Sequence, residues 1–193
     1  AIDSAKGFVD LMDLSKHRVG IVDYSSATGT FPLGTNKDAV KNYVSTLKAS
    51  GGTATGLAIR EATELLANHR PEAQPVIVLL TDGDATESED KTMNGYQYAL
   101  AKANDAKQEG IVFYTIALLK SNADPNTSGP NLLLKEMATT AHHHHFVLGS
   151  VGLSDIYAAI VQEIGLASAY NVVVKDIVSP EFEIVPGSYD NNI

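Results

Sequence analysis

Apolar positions along this chain change their period several times, and each change marks an element. Ile2, Ala5, Phe8, Val9 and Met12 recur at spacings of three and four, which predicts an amphipathic helix over Ile2 to Leu14 that begins at or before the chain start. Arg18 to Tyr24 (RVGIVDY) reads as a strand, and Pro32 to Gly34 as part of a short turn-rich connection. A helix over Lys37 to Leu47 turns Val40, Tyr43, Val44 and Leu47 inward and stops at the breaker Ser50, Gly51, Gly52. Thr55 to Asn68 forms the next helix, with Leu57, Ile59, Ala62, Leu65 and Leu66 available for packing. The run Val76 to Leu80 then has no polar position at all, and it ends abruptly on Thr81, Asp82 and Gly83.

The same alternation continues. A helix over Tyr96 to Glu109 closes at Gly110 and feeds a second strand, Ile111 to Leu118, apolar but for Thr115. Ser121 to Pro130 is a loop by composition, followed by a helix over Leu132 to Ala141, a strand at His145 to Leu148 and a helix over Leu153 to Leu166. Strands apolar on both faces, alternating with helices, indicate an α/β fold with a mostly parallel sheet covered on each side. The rhythm breaks after residue 166, where Asn171 to Val178 and Glu181 to Val185 are strand-like runs separated only by Ser179-Pro180. The expected division is residues 1–166 as one domain and 167–193 as a linker with the first strands of a β-rich neighbour.

Composition narrows the chemistry. A net charge of −9 opposes electrostatic binding to nucleic acid or anionic lipid and leaves cation sites open. Cysteine is absent, so disulfides, thiolate metal sites and cysteine nucleophiles are excluded together. No apolar run approaches the roughly 18 residues that span a bilayer. Ser25, Ser26, Thr81 and the histidines show no spacing that pairs a nucleophile with a base, so nothing positive supports an enzyme.

Two loops are candidates for ligand chemistry. Gly51 to Gly56 (GGTATG) opens a helix, and Thr81 to Asp84 (TDGD) ends a strand, where open α/β sheets bind their ligands. The Thr53 hydroxyl and the Asp82 carboxylate are hard oxygen donors suited to magnesium, manganese or calcium. Each loop also has a plainer reading: a glycine breaker with Thr53 or Thr55 capping the helix, and a solvated Asp-Gly turn. His142 to His145 is a run of imidazoles which, on a strand, would point alternately to opposite faces, so that at most two could share a metal; it reads as a structural run entering the following strand. Asp84 to Asp90 (DATESED) carries four acids and reads as a solvated loop beside the site.

Taken in order, RVGIVDYS, GGTATGLAIREATELL, VIVLLTDGD and GIVFYTIAL resemble the von Willebrand factor type A family from about Ala1 to about Leu166. The resemblance implies a Rossmann-like, three-layer α/β/α domain with a metal-ion-dependent adhesion site, MIDAS, holding one Mg2+ (or Mn2+ or Ca2+). Thr53 and Asp82 match its threonine and its later aspartate. The family's first part, Asp-x-Ser-x-Ser at the end of a central strand, has no match in this chain, so the natural protein is expected to continue upstream of Ala1. The implied activity is non-enzymatic capture of a carboxylate from a partner protein. Asn171 to Ser188 resembles the opening of β-sandwich repeats in Gram-positive surface adhesins and pilus-tip proteins, which implies an extracellular location at the cell surface or cell wall, a host or extracellular-matrix protein as ligand, and neighbouring β-sandwich domains. Lys175 is a conceivable isopeptide donor there, but so short a piece identifies no acceptor or helper acid, and a solvent-facing strand lysine is the reading preferred. Two other readings stay open: an intracellular type A subunit assisting an ATP-driven assembly machine, and a structural stalk with an incomplete metal site.

Overall fold

The structure is a computed structural model that describes residues 2–48, 51–149 and 151–166. Its elements, in order, are α1 (Ile2–Leu11), β1 (Val19–Tyr24), β2 (Thr28–Gly34), α2 (Lys37–Thr46), α3 (Thr55–Leu66), β3 (Val76–Thr81), α4 (Gly95–Gln108), β4 (Val112–Leu119), α5 (Gly129–Met137), a 3₁₀ turn (Ala141–His143), β5 (His144–Leu148) and α6 (Leu153–Leu166). The expected alternation is present, and with it the α/β architecture.

Strands β3, β4 and β5 form a parallel sheet, with Val76 beside Val112 and Thr115 beside His144. Because successive side chains alternate across a strand, each face of this sheet has its own core. Ile77, Leu79, Phe113 and Ala117 pack against Ile59 of α3, Ala99 and Ala103 of α4, and Leu134 and Met137 of α5. On the other face Tyr114, Ile116 and Val147 meet Leu153, Tyr157 and Ile160 of α6, with Phe8 of α1 at the margin. Phe8 and Tyr157 are in edge contact, their rings 5.1 Å apart. These are the two helical layers of a three-layer sandwich.

One connection proves to be a strand. Thr28–Gly34 pairs antiparallel with β1, Ile21 opposite Phe31 and Tyr24 opposite Thr28, and so contains the Pro32–Gly34 segment expected in a turn. The register slips by one residue between Val19 and Ile21, alongside Pro32, which has no N–H to give to a ladder. Smaller differences lie at element ends. Helix α1 stops at Leu11, although Met12 and Leu14 beyond it stay buried, and α5 starts at Gly129 because Pro130 is accommodated in its first turn. The strands expected at Asn171–Val178 and Glu181–Val185, and the boundary at 166/167, lie outside the described residues.

Among the described residues no backbone hydrogen bond joins β1 to β3, so the strands form a two-stranded and a three-stranded sheet. The two are held side by side by helices. Val9 of α1 and Met12 just beyond it pack on Val19 and Val40, while α3 packs between Tyr24 of β1 and Ile77 of β3. None of the described helices is long and apolar enough to cross a membrane.

Candidate metal centre

The site is assembled where β1 and β3 end. Strand β3 finishes at Thr81, whose hydroxyl lies 3.3 Å from the Gly83 amide and accepts its hydrogen, so that Asp82 stands at the apex of a tight turn. The Asp82 side chain is exposed and, among the described residues, has neither a hydrogen bond nor an ion pair. On the facing loop, Gly51 takes φ +88°, in the left-handed region that favours glycine, and any Cβ there would come within 2.9 Å of Ser26 Oγ. Thr53 follows with its backbone fully engaged: its N–H donates to Thr86 Oγ1 (3.0 Å) and its carbonyl accepts from the Thr86 amide (3.0 Å). Its hydroxyl is left without a hydrogen bond and lies against the Asp-Gly turn, 3.2 Å from where a Cβ on Gly83 would stand. The two loops singled out from the sequence therefore meet, each presenting one unengaged oxygen group.

The end of β1 contributes more than the sequence suggested. The Ser26 hydroxyl accepts from the Gly52 amide (2.7 Å), the Ser25 carbonyl accepts from the Ala54 amide (2.7 Å), and the Tyr24 hydroxyl donates to the Leu80 carbonyl (2.9 Å). Burial pushes the pKa of Tyr24 up to about 12; the Thr81 hydroxyl lowers it, the Asp82 carboxylate raises it, and the Thr55 hydroxyl lowers it. Thr55 Oγ1 is itself buried and has no hydrogen bond of good geometry. Hydroxyl residues immediately after a strand, Ser25-Ser26, were the available signal for this part of the site.

The acidic loop Asp84 to Asp90 has Asp84, Glu87 and Glu89 exposed to solvent, as expected, and is tethered as well. Glu89 accepts from the Tyr98 hydroxyl (2.8 Å) and pairs with Arg60, and Asp84 Oδ1 lies 2.7 Å from the Cβ position of Gly129 at the start of α5. The histidines divide: the rings of His142 and His143 stay in edge contact, 6.2 Å apart, while His144 leaves them. His142 Nε2 meets Glu163 (3.1 Å), which also accepts from Tyr114 (2.9 Å), whereas His144 faces the other way, toward Thr115 and Asn131. Among the described residues no three His, Asp or Glu side chains come together as a metal site.

The donor set at Thr53 and Asp82 is one hydroxyl and one carboxylate, both hard and both free of protein partners, which fits part of the shell of a hard divalent cation. Comparison with known proteins now decides the family. The family profile of the von Willebrand factor type A domain matches residues 1–159. This chain belongs to that family. Among solved structures, the type A domain is similar to the vWF domain of the type V pili tip protein Mfa5 from Porphyromonas gingivalis, with a TM-score of 0.73 at 15% identity over 90% of each chain. It is also similar to the pilus adhesin SpaC from Lactobacillus rhamnosus GG, with a TM-score of 0.68 at 14% identity, covering 84% of this chain and 27% of that one. A third similar structure is proximal thread matrix protein 1 from the mussel byssus with a zinc-occupied MIDAS motif: TM-score 0.62, 17% identity, 85% of this chain and 41% of that one. At these identities the likeness speaks for the fold, and the Rossmann-like three-layer reading of the type A domain stands.

Proposed function

We propose that this type A domain is a non-enzymatic, cation-dependent protein-binding module of a bacterial surface or pilus adhesin. The observation that carries the reading is the pair of unengaged oxygen groups, the Thr53 hydroxyl and the Asp82 carboxylate, on touching loops at the carboxyl end of the sheet. Membership of the family and the likeness to two pilus proteins and to a protein with a zinc-occupied MIDAS motif support it. Thr53 and Asp82 would hold one hard divalent ion, Mg2+ or else Mn2+ or Ca2+. When bound, such an ion supplies a positive centre able to attract a carboxylate from a host or matrix protein. The chain's own part is to orient: Thr86 fixes the Thr53 backbone from one side, Ser25 and Ser26 fix its neighbours from the other, and the side chain is left to face the ligand.

The reading includes a strand ending in Asp-x-Ser-x-Ser seated between β1 and β3, edges that are unpaired with each other and roofed by α1 on one face and α3 on the other. That strand would complete both the ladder and the shell. An extracellular position and β-sandwich neighbours in the same polypeptide belong to the same proposal.

Calorimetric titration of Mg2+ and Mn2+ into the natural full-length protein tests it. Asp82→Ala is expected to weaken binding roughly thirtyfold, within the range that losing even outer partners of a metal ligand produces. Equal binding by wild type and Asp82→Ala would remove Asp82 from the site.

A further inference from the structure

Three of the four consecutive histidines lie on one side of the sheet. On a regular strand they would alternate between faces, but His142 and His143 belong to the 3₁₀ turn, which leaves both on the side covered by α6. His142 Nε2 is 3.1 Å from Oε1 of Glu163 on α6, and the His143 ring stands edge-on to Tyr114, the centroids 4.7 Å apart. His145 is two residues before Val147, which packs on α6, so it points the same way. Its Nε2 is buried and has no hydrogen-bond partner among the described residues. Burial lowers the pKa of His143 and of His145 and the Glu163 charge raises both, which puts that carboxylate within electrostatic reach of the whole group. The other Glu163 oxygen, Oε2, accepts from the Tyr114 hydroxyl (2.9 Å).

We propose that His142, His145 and Glu163 are the ligands of a second cation site, one for a transition metal of the zinc class. Two imidazoles and a carboxylate suit Zn2+, Ni2+ or Cu2+, whereas magnesium and calcium favour shells of oxygen alone. Around a tetrahedral zinc, a nitrogen and an oxygen ligand stand about 3.4 Å apart, so His142 and Glu163 are within a few tenths of an ångström of that spacing. The third ligand is not yet in line, since among the described residues no three donors share one point as they stand. His142 is the member that adjusts, its side chain being 79% exposed, while the Tyr114 hydroxyl steadies Glu163 as outer partners of metal ligands do. An ion there would give the buried His145 Nε2 the partner it lacks. The site is independent of Thr53 and Asp82, and its ligands tie the 3₁₀ turn and β5 to α6.

The test uses the natural full-length protein with Zn2+ as probe, read by the imidazole nitrogen chemical shifts of the individual histidines. Zn2+ is expected to move His142 and His145 most and His144, which faces Thr115 and Asn131, least. His142→Gln, His145→Gln and Glu163→Gln are each expected to weaken this binding roughly a hundredfold, the upper end of what even outer partners of a metal ligand contribute. His144→Gln should bind as the wild type does. If His145→Gln fails to fold, the exposed His142→Gln still decides. Zn2+ that moves no histidine, or wild-type affinity in His142→Gln and Glu163→Gln, overturns the site. Equal losses in His142→Gln and His144→Gln, the behaviour of an adventitious run of imidazoles, overturn it too. Asp82→Ala is expected to leave the histidine shifts intact, so the failure of either cation site is read separately.

Discussion

Gly95→Ala is expected to lower folding stability by about 2 to 3 kcal/mol, near the upper end for overpacking a buried position. A Cβ on Gly95 would lie 2.4 Å from the Ala85 carbonyl oxygen and 2.7 Å from the carbonyl carbons of Ala85 and Thr86. These are backbone atoms, which cannot turn aside as a side chain would. Nor is α4 free to retreat, because its first turn is fixed by a reciprocal capping box: Asn94 accepts from the Gln97 amide while Gln97 accepts from the Asn94 amide. The gain of about 1 kcal/mol from replacing a helical glycine is outweighed. The strain falls on Thr86, which holds Thr53 by two hydrogen bonds, so the variant should disturb the candidate centre as well as the fold. Urea unfolding measures the loss. Gly7→Ala is the control, since a Cβ in that helix meets nothing within 4 Å and should stabilise. Equal stability of wild type and Gly95→Ala would show that the 85–86 loop yields without cost.

Acidification is expected to cost about 2 kcal/mol between pH 6.5 and pH 4 through His144. Burial, with His145 and Lys135 adding positive charge nearby, pushes its pKa from 6.5 down to about 4. The unfolded chain therefore takes up a proton in that interval and the folded one does not, so stability is whole above pH 6.5 and falls as pH drops, levelling below about 4. The full shift would correspond to about 3 kcal/mol. Two facts reduce it. The ring is only partly buried, and both of its nitrogens meet acceptors that favour the charged form: the Thr115 hydroxyl, which gives its own hydrogen to the Leu134 carbonyl, lies 2.9 Å from Nδ1, and Asn131 Oδ1 lies 3.1 Å from Nε2. His143 and His145 are shifted in the same direction, chiefly by burial, and steepen the same window. Unfolding free energies at pH 7.5, 5.5 and 4.5 should show the decline, and His144→Gln should flatten it. A pH-independent wild type would contradict the assignment.

How far the sequence could be read follows from what each residue needed. Val76 to Leu80 and Ile111 to Leu118 are apolar on both faces because helices cover both, and periodicity alone exposes them. Strand β2 escaped detection because Thr28 to Gly34 carries two glycines and a proline, residues that ordinarily end strands, and its pairing with β1 is a tertiary fact. At the candidate centre, Thr53 and Asp82 stand out by motif, and their loops do meet. Tyr24, Ser26 and Thr86 did not stand out, since each acts through hydrogen bonds to a residue far along the chain, and no local spacing encodes such a bond. The four histidines show the converse: a conspicuous run whose members the 3₁₀ turn and strand pleat send to different neighbours.

The division of the strands into two sheets has a consequence for how this domain opens. The three-stranded sheet has helices on both faces and contains Phe113, Ile116 and Ala117, all fully buried, whereas no residue of β2 is fully buried and its sole strand partner among the described residues is β1. Cooperative opening follows the distribution of buried contacts, so β1 and β2 form a weaker unit that can exchange its amide hydrogens while β3 to β5 stay closed. Tyr24 lies on the seam between these units.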